Sequence, residues 1–282
     1  FRLLDFADLT VDGSIATGAA VSVMLIRAGV SPIATLPIAF LAGALAGMVT
    51  GLLNTALGIP GILASILTQI SLYSINLNIM GKANQPVSVD NYPLVVSLRY
   101  VTDGSVSRLL FFLGMIVFLL ALIAVMYWYF GTEQGHAIRA TGCNSNMARA
   151  QGINTNFIKV LALMISNGLV GLCGALYGQF QGASDVNMGR GAIVIGLAAV
   201  IIGKVVFEKV FHNFALKLLS VVLGAVIYYA VLQVVIWFGL DTDLLKLLSA
   251  LVVALFLALP YWKKKYIVKP VKRGGVQNVG SK

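Results

Sequence analysis

Arg108–Phe130 reads RLLFFLGMIVFLLALIAVMYWYF. After the leading arginine the run carries no charge. About 20 apolar residues in a helix cross the ~30 Å hydrocarbon core of a bilayer. Backbone in lipid must satisfy its own N–H and C=O groups, and this run does not alternate as a barrel strand does. It is therefore predicted to be a transmembrane helix. Seven more apolar segments, roughly 11–28, 33–57, 59–80, 158–181, 191–207, 214–238 and 244–261, read the same way. The expectation is an all-α, polytopic transmembrane bundle of about eight spans. Residues 1–261 form the membrane domain, and 262–282 form a basic C-terminal tail.

The composition of the 282-residue chain agrees. It is 59% hydrophobic and only 11% charged, whereas soluble domains carry about 25% charged residues. A net charge of +10 does not point to nucleic acid. Seven of the twenty basic residues lie from Lys263 onward, where they suit a cytoplasmic anchor on an anionic leaflet. With eight spans both termini share a side. Placing the C-terminus inside puts fourteen basic residues inside and six outside, as the positive-inside rule asks. Arg190 is among the six counted outside. Tyr127, Trp128, Tyr129, Trp237, Tyr261 and Trp262 mark boundaries as belt residues.

Chemistry-bearing motifs are scarce. Cys143 and Cys173 are not expected to pair. His136 and His212 are isolated, and no metal-ligand spacing occurs. GLAAVIIGKV from Gly196 has the wrong glycine spacing for a phosphate loop, and Val205 stands where Ser or Thr must hold magnesium. The G-x-S-x-G elbow and H-E-x-x-H are missing. Gly43, Gly47 and Gly51 form one small-residue stripe, and Gly174, Gly178 and Gly182 another. Both are read as internal helix packing.

Two polar stretches interrupt the apolar pattern. In LDFADLTVDGS, Leu4–Ser14, the acids Asp5, Asp8 and Asp12 would share a face on a helix. Thr10, Asp12 and Ser14 are candidates to cap the helix that follows. Alternatively, the segment is a break lining a transport route, since irregular backbone at depth is tolerated against protein or water. The second stretch, GTEQGHAIRATGCNSNMARAQGIN, Gly131–Asn154, belongs to a long connection, 131–157. Within it NSNMARAQG reads as a two-turn helix capped by Asn144 or Ser145 and ended by a left-handed Gly152. Small residues around a short helix suit docking into another protein's groove, and Met147 is an adaptable contact. Asn54, Gln69, Tyr73, Asn76, Asn167, Gln179, Gln181 and Gln233 lie inside spans, where they either join helices or line a path.

IRATGCNSNMARAQGIN resembles the cytoplasmic coupling segment of permeases in the branched-chain amino acid and ribose group of ABC importers. The match falls on Gly135, Ala137, Arg139, Ala140, Gly142, Asn144, Ala148, Gly152, Ile153 and Asn154. DLTVDGS resembles the break after the first span of that group. IGLAAVIIGK resembles a further segment, with Lys204 replacing a glycine. FRLLDFADLTVDGS is most similar to the tryptophan/tyrosine permeases of the group.

The resemblance implies one more span before Leu4, a second permease copy (a homodimer), a cytoplasmic ABC ATPase dimer and an extracytoplasmic substrate-binding protein. It implies a location in the bacterial cytoplasmic membrane with the C-terminus inside. The chain itself needs no cofactor; ATP and magnesium belong to the ATPase. Arg139, Gly142, Asn144, Met147, Ala148, Arg149, Gly152 and Asn154 are then expected to couple to the ATPase. Phe6, Asp8, Asp12, Ser14, Gln69 and Gln179 are expected along the path. The substrate expected is an amino acid, with an aromatic one favoured over a sugar or nucleoside. A secondary transporter or channel is the first alternative, and would place ionisable residues deep in spans for ion coupling. An intramembrane enzyme is the second.

Overall fold

The computed structural model describes residues 6–88, 92, 94–96, 108–207 and 213–237, together with 247, 250, 251, 254 and 258. The chain divides into two compact units, Phe1–Ile193 and Val194–Lys282.

The described helices are α1 (Val11–Arg27), α2 (Pro32–Thr55), α3 (Gly61–Met80), α4 (Arg108–Phe130), α5 (Glu133–Cys143), α6 (Ser145–Ala150), α7 (Thr155–Gln181), α8 (Ala192–Phe207) and α9 (Phe214–Trp237). Seven of the eight apolar segments coincide with α1–α4 and α7–α9, within three residues at each end. The eighth, 244–261, falls almost wholly outside the described residues, as do the 262–282 tail, Tyr261, Trp262 and His212. Five helices are long and apolar enough to cross a membrane: α2, α3, α4, α7 and α9. The structure is thus that of a mostly helical, polytopic protein. α1, with 17 residues, and α8, with 16, are each only about 24–26 Å long.

The first unit is built on glycine. A Cβ on Gly43 or Gly47 of α2 would run into the α7 backbone at Asn167 or Leu163, and one on Gly51 would meet Val160. α1 meets α7 the same way: Gly18 abuts the Gly171 backbone, and Gly174 abuts Ile15. Ala16, Ala19 and Ala20 are buried beside them. Small side chains thus bring α1, α2 and α7 together at backbone distance, which is how helices associate where lipid removes the hydrophobic drive. Both stripes pack internally, as expected, except that Gly182 is instead the left-handed residue ending α7, at φ +70°. In the second unit α8 and α9 use the same device, Gly203 against Ser220 and Gly224 against Ala199, beside Ala198, Ile202 and Tyr228.

One feature departs from the all-α expectation. β1 (Asn84–Pro86) pairs antiparallel with β2 (Ala183–Asp185), with Gln85 opposite Ser184. These strands follow α3 and α7, outside the apolar runs on which the helical reading rested.

Candidate functional site

α1 does not begin at the end of the bundle. Its first turn packs beside Asn167, which lies about 18 Å along α7 from that helix's start. The described chain before α1 is therefore non-helical backbone packed in part against protein, a setting in which such backbone is tolerated at depth. Asp8 stands in that break and is buried. It accepts from the Thr10 N–H at 3.0 Å and from Nδ2 of Asn167 at 2.7 Å. Ser14 donates to Oδ1 of Asn167 at 2.7 Å. The Thr10 and Thr50 hydroxyls lie 2.7 Å apart, and Thr50 donates to Thr68 at 2.9 Å. A polar chain thus ties the break to α1, α2, α3 and α7.

Three expectations are corrected here. Asp8 and Asp12 do not share a helical face, because the helix starts only at Val11; Asp5 lies outside the described residues. Thr10 is the N-cap residue of α1 but makes no side-chain cap bond, since its hydroxyl is committed to Thr50. Asp12 and Ser14 do not cap α1 either. Asp12 accepts from the N–H groups of Gly191 and Ile193, each at 3.1 Å, so it caps the start of α8. Gly189 makes this approach workable, since a Cβ there would collide with the Asp12 backbone.

Above this break lies a cleft of about 280 Å³ lined by Asp12, Gly13, Gln69, Ile70, Tyr73, Ser74, Asn76, Val186 and Arg190. Of the six positions expected along a path, only Asp12 and Gln69 line it. Asp8 and Ser14 belong to the buried network. Gln179 is fully buried in another, donating to Ser22 at 3.1 Å and accepting from the Val95 N–H at 3.0 Å. Phe6 lays its ring on Gly61, where a Cβ would strike it. Sequence reasoning gave Arg190 no role beyond orientation, and it left Tyr73 and Asn76 undivided among eight span residues. Gln69, Tyr73 and Asn76 fall at i, i+4 and i+7, one helical face, which is the signal that separates them.

The 131–157 connection is more structured than its sequence suggests. It holds two helices, α5 and α6, not one. Thr132 caps α5 weakly, its hydroxyl 3.5 Å from the Gly135 N–H. Asn144 ends α5 in extended backbone, φ −158°. Its Oδ1 then accepts from Asn146 and Met147 N–H, both at 3.1 Å, to open α6. Gly152, at φ +82°, reverses the chain, and Asn154 caps α7 by accepting from the Phe157 N–H at 3.2 Å.

Arg149 donates from Nε and Nη2 to the Thr155 hydroxyl, at 3.3 and 3.0 Å. Ala148 is buried, anchoring α6 to its neighbours. Gly142 is half-buried. Arg139 lies over the Phe130 ring, 5.6 Å from its centroid. Two large apolar side chains face outward among exposed polar ones: Met147 is 63% exposed, and Phe157, absent from the sequence-based set, is 59% exposed. Cys143 and Cys173 are free thiols.

Residues 1–259 match the family model for the branched-chain amino acid transport system permease component. The tyrosine transport system permease protein of Clostridioides difficile is 37% identical over 258 residues, covering 92% of this chain and 83% of that protein. The inner membrane ABC transporter permease protein YjfF of Escherichia coli is 26% identical over 197 residues, 70% of this chain and 58% of its own length. The autoinducer 2 import permease LsrC of Yersinia pseudotuberculosis is 30% identical over 195 residues, 68% of this chain and 52% of its own. No solved structure matches. These relatives are transport subunits, not enzymes. Matched along nearly its whole length, the chain belongs to the branched-chain amino acid transport permease family, as a multi-pass membrane permease of an ABC import system.

Proposed function

We propose that this permease carries an amino acid, and among amino acids an aromatic one, into the cell. Support comes from its extended likeness to a tyrosine transport permease. On this reading about eight spans cross the membrane and the C-terminus is cytoplasmic. Two copies pair as a homodimer, and an extracytoplasmic binding protein delivers the substrate. A cytoplasmic ATPase dimer, holding ATP and magnesium, grips α5–α6. Arg139, Gly142, Asn144, Met147, Ala148, Arg149, Gly152 and Asn154 build and present that grip.

The observation that carries the coupling role is the state of α6. A six-residue helix cannot hold itself together in water, yet this one is capped by Asn144, anchored by Ala148 and clipped by Arg149. So firm a mounting for an exposed Met147 suits transmission of force. Nucleotide shifts the permease between states only through contacts that differ between those states, and the rigid segment supplies them.

The test is reconstitution with the ATPase and binding protein in proteoliposomes. ATP-dependent accumulation of L-tyrosine, insensitive to an uncoupler, is expected. Uptake that survives ATP depletion but collapses with an uncoupler would instead establish a secondary transporter. Accumulation of a sugar or nucleoside in place of any amino acid would correct the substrate.

A further inference from the structure

We propose that the cleft between α1, α3 and the 186–190 segment seats the head group of a small zwitterion, with its carboxylate on Arg190 and its ammonium on Asp12. This rests on the importer reading above and names the place where the substrate is held.

Three observations carry it. First, Asp12 and Arg190 line one cleft, and no ion pair joins them among the described residues. Asp12 is half-buried and Arg190 is exposed. Here a carboxylate and a guanidinium share a space with room between them, the complement of a molecule carrying both signs. The two N–H groups on Asp12 fix its orientation and take one site on each oxygen. A carboxylate has about four such sites, so acceptor capacity remains for an ammonium.

Second, Asn76 is 1% exposed and lines the cleft, yet neither Nδ2 nor Oδ1 has a hydrogen-bond partner. Buried amides are nearly always paired. This one offers a donor and an acceptor side by side, which matches the mixed polarity of an amino acid head group.

Third, the remaining wall mixes the polar Gln69 and Ser74 with apolar and aromatic surface. Ile70 and Val186 flank it, and Tyr73 exposes its ring. The volume lies near the small end of ligand pockets, which run from about 300 Å³ upward. That favours one amino acid over a larger solute.

The test uses the permease assembled with its ATPase and binding protein in proteoliposomes, with L-tyrosine as probe. Arg190→Gln and Asn76→Leu are each expected to lower ATP-driven uptake about tenfold or more, the effect of losing a charge-assisted or buried polar contact. Thermal stability should be unchanged or, for Asn76→Leu, should rise. Arg190→Lys should recover part of the uptake. Uptake by Arg190→Gln and Asn76→Leu at the wild-type level, or uptake lost only together with thermal stability, overturns the site and leaves the importer reading standing. Failure of the wild type to accumulate any standard amino acid overturns the importer reading and this site with it.

Discussion

Asn167 of α7 donates to the Asp8 carboxylate across 2.7 Å while accepting the Ser14 hydroxyl across 2.7 Å. One amide therefore holds a buried acid in the chain break and the first turn of α1 together. Asn167→Leu keeps the number of side-chain heavy atoms but removes the bond to Asp8 and leaves the Ser14 hydroxyl without its acceptor. A hydrogen bond to a carboxylate contributes about 1.5–3 kcal/mol and a neutral one about 1 kcal/mol, so a loss on the order of 3 kcal/mol is expected. A fall in thermal midpoint of the detergent-solubilised protein would register it. An unchanged midpoint would mean that the break is held by other contacts.

Backbone approach at glycine gives a second prediction. Gly18→Val should prevent α1 from reaching α7, because the added carbons would occupy the space of the Gly171 carbonyl. The rigid backbone on the far side cannot yield as a side-chain end does, and overpacking of this kind costs at least about 1–3 kcal/mol. The variant is expected to lose its monodisperse peak in detergent chromatography. Gly114→Ala in α4 is the control: nothing lies within 4 Å of its added carbon. It should be neutral or gain up to about 1 kcal/mol of helix propensity.

These cases show why parts of the molecule were legible and others were not. A span announces itself by length and hydropathy alone, so α2, α4 and α9 could be read without knowing their neighbours. The Gly43 and Gly174 stripes were equally local. Polar residues inside spans were a different matter. Gln69 and Gln179 look alike in sequence; one lines a cleft, and the other is sealed against Ser22. The difference depends on which residue lies opposite, as Asp12 meets Gly191 across the whole length of the unit. α5 was missed because Gly135 and Gly142 lower its helix propensity. Its stability comes instead from tertiary burial of Ile138 and Gly135.

The coupling segment yields the last prediction, and its design separates mounting from contact. Met147 is exposed and makes no side-chain hydrogen bond. Met147→Asp should therefore leave the thermal midpoint of the permease unchanged while abolishing co-purification of the ATPase, since a charge replaces an adaptable apolar contact. Asn144→Ala attacks the mounting: losing the cap costs about 1 kcal/mol and frees α6 to fray. ATPase binding should weaken, and hydrolysis should run without transport. Gly142→Trp and Arg149→Glu belong to the same class, the latter because it removes the clip to Thr155. The measurements are pull-down of the ATPase, ATP turnover and uptake, made on the same preparations. Intact uptake by Met147→Asp together with Arg149→Glu would remove α6 from the coupling route.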